Sequence, residues 1–257
     1  LTLTAQDLTR SGYAQLSRIH QLFPDLNELH LQLGNEPADR LADNLRYLKG
    51  SAGMLPHLNS FSIDCKLRGD AWQAVARFIV LCPIMQRLSL PNQRLSTAAD
   101  QRILAAVVEA LPGLTHLDLG GVASSSSSSS SACANNAIAS SSLRRICRLR
   151  NLRSLSCNLT AVPDAHLKAL SELPLLQSLS ISATGDATTL AAALQRLSHL
   201  TSLELEHPCV TDEMGECLEH MSNLRFLALG LCPRLRDNIM PQVCSTPGQN
   251  LQMPPQL

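Results

Sequence analysis

The sequence predicts an α/β fold of one kind: a curved solenoid, or horseshoe, of eight or nine stacked units. A parallel β-sheet is expected on its concave side and helices on its convex side. Three observations predict it. Leucine supplies 49 of the 257 residues, against 3% aromatic residues, so one aliphatic side chain dominates the core. The pattern Leu-x-x-Leu-x-Leu recurs along the whole chain, and self-similarity with a period of about 20–50 residues marks a repeat architecture. Between its copies the apolar period changes from two to the three-to-four of a helix.

The elements follow in order. Leu1 and Leu3 fit the end of a first copy, since Leu3 lies one repeat step before Leu31. Full copies begin at Leu26, Leu58, Met85, Leu114, Leu152, Leu176, Leu200 and Leu224. The steps up to Leu152 are unequal, and the three after it are identical. The last three positions of each copy alternate apolar and polar, which is the period of a strand. Helical runs lie between them. Leu8, Leu16, Ile19 and Leu22 precede Pro24; Val75, Phe78 and Ile79 precede Pro83; Ile103, Leu104, Val107, Val108 and Leu111 precede Pro112. Later, Leu167, Leu170 and Leu173 precede Pro174, Leu190, Leu194 and Leu197 lead into the next strand, and Met214, Leu218 and Met221 repeat the pattern. Proline just past a helical run stops it and turns the chain extended. Asp70 with Gln73 and Thr97 with Asp100 have capping-box spacing, and Asp164 is placed to cap the helix carrying Leu167.

One strand and one helix cannot bury their shared apolar face alone, so the units must stack into a continuous core. A helix is about 10 Å wide and a strand about 4.8 Å. A stack of such pairs curves, with the sheet inside.

The repeat resembles the leucine-rich repeat family over roughly residues 1–240. The longer units with a full helix, such as those running from Leu58 to Met85 and from Met85 to Leu114, are similar to its ribonuclease-inhibitor type. Leu81-Cys82-Pro83 before Met85, Thr211-Asp212-Glu213 opening a helix, and Cys232 three places after Leu229 resemble the cysteine-containing type of F-box proteins. In other units the position of that cysteine holds Gly34, Lys66, Gln93, Val122, Thr160, Thr184 and Pro208. The residue there normally satisfies the backbone of the turn from inside the coil, so these units need another arrangement. The resemblance implies a non-enzymatic scaffold that recognises a protein partner through the concave face. The F-box likeness implies an alternative, the substrate-recognition part of an SCF-type ubiquitin ligase, joined to cullin-RING adaptor machinery through an N-terminal domain not visible in this sequence. A small-GTPase regulator, with Arg87 as the inner-face arginine, and a receptor ectodomain rank below it; Asn158-Leu159-Thr160 is a glycosylation acceptor pattern that the latter would use.

Composition narrows the classes. Twenty-one basic and 21 acidic side chains cancel, 16% of residues are charged and 45% hydrophobic, which argues against disorder and against a basic nucleic-acid binder. No apolar run is long enough for a membrane-spanning helix, so none is expected. The first residues lack the basic-then-apolar order of a signal peptide. The nine cysteines form no CxxC and are odd in number. Set beside leucines in periodic segments, they read as small buried hydrophobes in a reducing compartment, cytoplasmic or nuclear.

On each strand, the residues between and after the leucines face the concavity. Its middle is serine-rich, and the distinctive chemistry is expected at the ends: Glu28, His30, Asp64 and Arg87 on one side, Glu204, Glu206 and Phe226 on the other, with His116 and Asp118 between. His116 and Asp118 are spaced to hydrogen-bond, but no nucleophile or oxyanion site accompanies them, so no catalytic residue is assigned. The eight histidines are scattered one per element, and no pair converges with His207 and Cys209, so neither metal nor cofactor is expected. The run Arg144, Arg145, Arg148, Arg150 and Arg153 reads as the solvated face of a short helix whose buried stripe is Leu143, Ile146 and Leu149. With no interleaved aromatics it does not indicate nucleic acid.

The longest step, from Leu114 to Leu152, contains Ser124–Ser131 and Ser140–Ser142. A low-complexity loop insertion is therefore expected at about 121–142, a weak joint between longer units before it and the regular, shorter units after it. Past Met240 the composition turns to Pro, Gln and Ser, so residues 241–257 read as a tail. Neither end shows a polar cap, and the chain is expected to be part of something larger.

Overall fold

The structure, a computed structural model, describes residues 1–4, 18–34, 55–67, 69–91, 93, 95, 97–120, 138–159, 162–183, 186–206, 217–218 and 220–230. The chain divides into two compact units, Leu1–Gly120 and Gly121–Leu257. Every copy of the motif forms a strand, and the architecture is the α/β solenoid of parallel strands and flanking helices that the repeat demands.

In the first unit the strands are β1 (Thr2–Thr4), β2 (Glu28–Gly34), β3 (Ser60–Cys65), β4 (Arg87–Ser89) and β5 (His116–Asp118). Each pairs in parallel with the next. Leu3 stands opposite Leu31, so Leu1 and Leu3 do complete a copy. Leu29, Phe61, Leu88 and Leu117 form one register row, all buried. In the second unit β6 (Ser154–Asn158), β7 (Ser178–Ser182), β8 (Ser202–Glu206) and β9 (Phe226–Gly230) pair the same way. Leu155, Leu179, Leu203 and Leu227 make the equivalent buried row. The ladder starts one residue before each strand. Asn59 and Ser60 both donate to the Asn27 carbonyl (2.9 and 3.1 Å), and Thr201 and Ser202 both donate to that of Gln177 (2.8 and 3.0 Å). One backbone pattern thus repeats through both units.

The helices of the first unit are α1 (Ile19–Leu22), α2 (Gly69–Val80) and α3 (Ala98–Ala110). Leu104, Val107 and Val108 line the buried side of α3, as the period requires, while Ile103 is only half-buried beside α2. Trp72, Val75, Phe78 and Ile79 do the same for α2, where Phe78 meets Phe61 with ring centroids 5.3 Å apart. The Thr97 capping box is present: its side chain accepts from the Asp100 N–H, and Asp100 accepts from the Thr97 N–H. The Asp70 box is not. Helix α2 starts at Gly69, in the left-handed region at φ +49°, so Asp70 lies within the first turn, where its charge meets the positive end of the helix dipole. Leu22 also departs from expectation, being 59% exposed: α1 is a single turn, too short to turn a full stripe inward.

The second unit has shorter helices: α4 (Ser140–Ile146), α5 (Asp164–Leu167) running into a 3₁₀ turn (Lys168–Glu172), and α6 (Ala187–Leu194). Ser140–Ser142, read as part of the loop insertion, are the first turn of α4, with Ser142 buried. Leu143 and Ile146 form its buried stripe, and Leu149, just past its end, is buried as well. Asp164 is the first residue of α5 rather than its cap, a place taken by Pro163 with no side-chain bond. The cap that does form is at Asp186, which accepts from the Thr189 N–H (3.0 Å) to start α6. The polyserine run and the tail lie outside the described residues, as do Met214 and the Thr211-Asp212-Glu213 and Cys232 signatures.

Candidate interaction face

Parallel pairing with matched register sorts the open-face residues into rows about 4.8 Å apart from strand to strand. In the first unit, Glu28, Ser60, Arg87 and His116 make one row. Thr2, His30, Ser62, Ser89 and Asp118 make the next, and Gln32 stands beside Asp64 in the third. The six candidate residues of this unit therefore share one face. His30 Nε2 lies 3.6 Å from Glu28 Oε2, an exposed pair that water screens. Arg87 is exposed. The His116 and Asp118 pairing does not form: Asp118 accepts from Ser89 Oγ (2.8 Å) and the Gly120 N–H (3.0 Å), while His116 Nδ1 is 2.8 Å from Thr115 Oγ1. Neighbouring donors closer to Asp118 have taken its carboxylate.

Gly120 holds that turn. Its φ is +76°, and a Cβ there would fall 2.1 Å from the Pro91 carbonyl oxygen. Only glycine meets both demands.

In the second unit, Ser154, Ser178, Ser202 and Phe226 form the first row, and Ser156, Ser180, Glu204 and Ala228 the second. Asn158, Ser182, Glu206 and Gly230 form the third. Three of its members are buried: Asn158, Ser182 and Glu206, the last only 8% exposed. Glu206 Oε2 is fully buried and has no hydrogen-bond partner among the described residues. The sequence marks Glu206 as a candidate on the open face; what it does not show is the burial, which no local pattern encodes. Phe226, half-buried on this face, is the only aromatic residue after Gly120.

Other features are structural. Gln93, one of the apparent departures from the repeat, is 1% exposed and does the inward bonding itself: it accepts from the Leu67 N–H (3.2 Å) and donates to the Cys65 carbonyl (2.8 Å). Two of the five arginines staple neighbouring turns. Arg144 donates to His166 Nε2 (2.8 Å) and Arg150 to the Glu172 carbonyl (2.9 Å). Arginine only donates, so His166 carries its proton on Nδ1, a buried atom without a partner. Cys65, Cys82, Cys147, Cys157 and Cys217 are buried and in no disulfide. Burial, helped by Glu172, pushes the Cys147 thiol up to about 12, and burial pushes Cys217 up to about 11, so neither is a reactive thiolate. On the helix side, Ala76, Val80, Leu81, Ile103 and Ala106 line an apolar groove between α2 and α3. Among the described residues no group of three side chains is placed to hold a metal ion, and no helix is long and apolar enough to cross a membrane.

No protein-family model matches the sequence, and no curated protein matches it either. Among solved structures 115 chains do match, and a scaffold so widely shared fixes architecture rather than partner. One is human 5T4 (Wnt-activated inhibitory factor 1, trophoblast glycoprotein), 16% identical, with a TM-score of 0.52 over 98% of this chain and 83% of that one. At that identity the likeness shows the fold alone, which is that of a leucine-rich repeat protein.

Proposed function

We propose that the chain is a non-enzymatic scaffold that recognises a protein partner through the open faces of its strands. The observation that carries this reading is the register. Every candidate residue falls on the same side of its unit's sheet, opposite the buried leucines, in rows that present polar and charged groups at regular spacing. The sole aromatic residue of the second unit lies on that face instead of in the core, and aromatic side chains are enriched where binding energy concentrates. Affinity capture with the whole chain as bait, read by mass spectrometry, tests the reading. Ser156→Arg and Ser180→Arg set bulky charges in the middle of the second face and should remove specific partners; partners retained by both variants would move the contact to the helices.

A finer reading makes the same face the substrate receptor of an F-box-type ubiquitin ligase. Leu81-Cys82-Pro83 supports it: a Cys-Pro before the next strand is the signature of the cysteine-containing repeat, and here Cys82 is buried and donates to the Phe78 carbonyl (3.4 Å) ahead of β4. Recovery of cullin-RING adaptor proteins in the same capture would support it, and their absence would leave the plain scaffold. The five buried thiols, none in a disulfide, support placing the protein in a reducing compartment, cytoplasmic or nuclear.

A further inference from the structure

We infer that the strand face of the second unit receives a basic side chain, an arginine or lysine of the protein partner, with Glu206 and Glu204 as its counter-charges. The inference rests on the protein-recognition reading and names the chemistry of the partner. Its starting point is Glu206: the residue is 8% exposed and Oε2 has no hydrogen-bond partner among the described residues. A buried acceptor left without a donor is costly, and such groups in native proteins call for an explanation. The donor is not supplied from this face. Its twelve positions on β6–β9 hold two glutamates and no lysine, arginine or histidine, and none of its hydroxyl or amide donors reaches Oε2.

The surroundings fit a side chain better than an ion. Glu204 lies two positions earlier on the same face, about 7 Å away along the strand. Ser180 and Ser182 flank the two glutamates on one side, Ala228 and Gly230 on the other. The strands that carry these small residues stand about two strand spacings apart, on the order of 9–10 Å, with no bulky side chain beside either glutamate. Phe226 starts one of these strands, and an aromatic face there suits the flat guanidinium or the aliphatic stem of a guest. A calcium ion would need six or more oxygen ligands, and no three ligating side chains converge among the described residues. A guanidinium needs only two acceptors and offers five donors.

The test selects binders for the whole chain from a displayed library of random twelve-residue peptides, then measures them by calorimetry. We expect the selected peptides to share a basic residue at one position, and its replacement by glutamine to weaken binding about tenfold or more. Glu206→Gln, which keeps shape and removes charge, should weaken the parent peptide to a similar degree and leave the glutamine peptide unaffected. That coupling is a readout a structural role for Glu206 would not produce, and circular dichroism of the variant confirms the fold. Peptides without a shared basic residue, or indifferent to Glu206→Gln, would overturn the inference. If Ser180→Arg still abolished their binding, the protein-recognition reading would survive it; if not, both would fall. A library that yields no binder also overturns it.

Discussion

In residues 1–120 the helix layer holds, beside the single turn of α1, helices of 12 and 13 residues, α2 and α3, packed around Trp72, Phe61 and Phe78. In the second unit the same layer is made of α4, α5 with its 3₁₀ turn, and α6, none as long, over a core without a single aromatic ring. The strands obey one rule in both. For α5 and α6 the difference follows from unit length: the steps between Leu58 and Leu114 leave room for three turns of helix, and the shorter ones after Leu152 do not. Large rings pack beneath the long helices, and smaller side chains, mostly leucine with Ile146, Ile181 and Cys157, pack beneath the short ones. Polar content differs as well. The first unit buries Gln93 with both ends bonded, while the second buries Glu206 with an oxygen unbonded. One buried polar group bonds the coil together, and the other keeps an acceptor without a donor among the described residues.

Substitutions can sharpen or break this contrast. The largest effect is expected at Trp72, fully enclosed and reaching the Asp100 carbonyl through Nε1 (3.4 Å). Trp72→Ala should cost about 3–5 kcal/mol, measured by urea unfolding followed by far-ultraviolet dichroism. A loss near 1 kcal/mol, well under that range, would mean that the aromatic cluster is not what holds the first unit. Gln93→Ala strips partners from two buried backbone groups and should cost about 2–4 kcal/mol in the same assay. Gly120→Ala must place a side chain at φ +76° against Pro91, for a loss of about 2 kcal/mol or more. Glu206→Gln should move the other way, raising stability by about 1 kcal/mol because a neutral amide is cheaper to bury than a charge. A fall in the midpoint instead would show that the carboxylate is already compensated within the fold.

The smallest effect concerns pH. Bonds from the Thr188 hydroxyl, then the Thr189 N–H and hydroxyl, hold the exposed Asp186 carboxyl below its usual value. A carboxyl depressed in the folded state stabilises above its unfolded pKa, about 3.9, and that contribution is lost as pH falls through the lower folded value. Melting temperature followed from pH 6 to pH 2 should therefore fall less steeply in Asp186→Ala than in the parent chain. Identical acid limbs would exclude a capping role.

The strands and their rows were legible because they depend on two short-range regularities, alternation and a near-constant step. Leu3 opposite Leu31 and the burial of Leu143, Ile146 and Leu149 came directly from spacing. What escaped depends on distances the sequence does not carry. Capping-box spacing at Asp70 is real, but Gly69 starts the helix one residue earlier, through a backbone angle no pattern announces. The run of Leu167, Leu170 and Leu173 fits an α-helix, yet the shorter step tightens its second half to 3₁₀. Glutamine at position 93 looks like a defect until the coil closes around it, since its extra methylene only matters once Cys65 and Leu67 are in reach. The candidate site shows the same division. Which residues share the face could be read from the chain, but that Glu206 is buried there could not.

The uniform step of the second unit also bears on how such a chain can lengthen. Residues 178–182 and 202–206 pair position for position, and Arg153, Gln177 and Thr201 each offer their carbonyl to the two amides that open the next strand. A tandem duplication of residues 176–199 would present the same seam on both sides of the new copy. Recombination within this stretch can therefore add or remove a whole strand without any compensating change. The steps before Gly120 lack that freedom, because no two of them are equal and none is interchangeable with its neighbour.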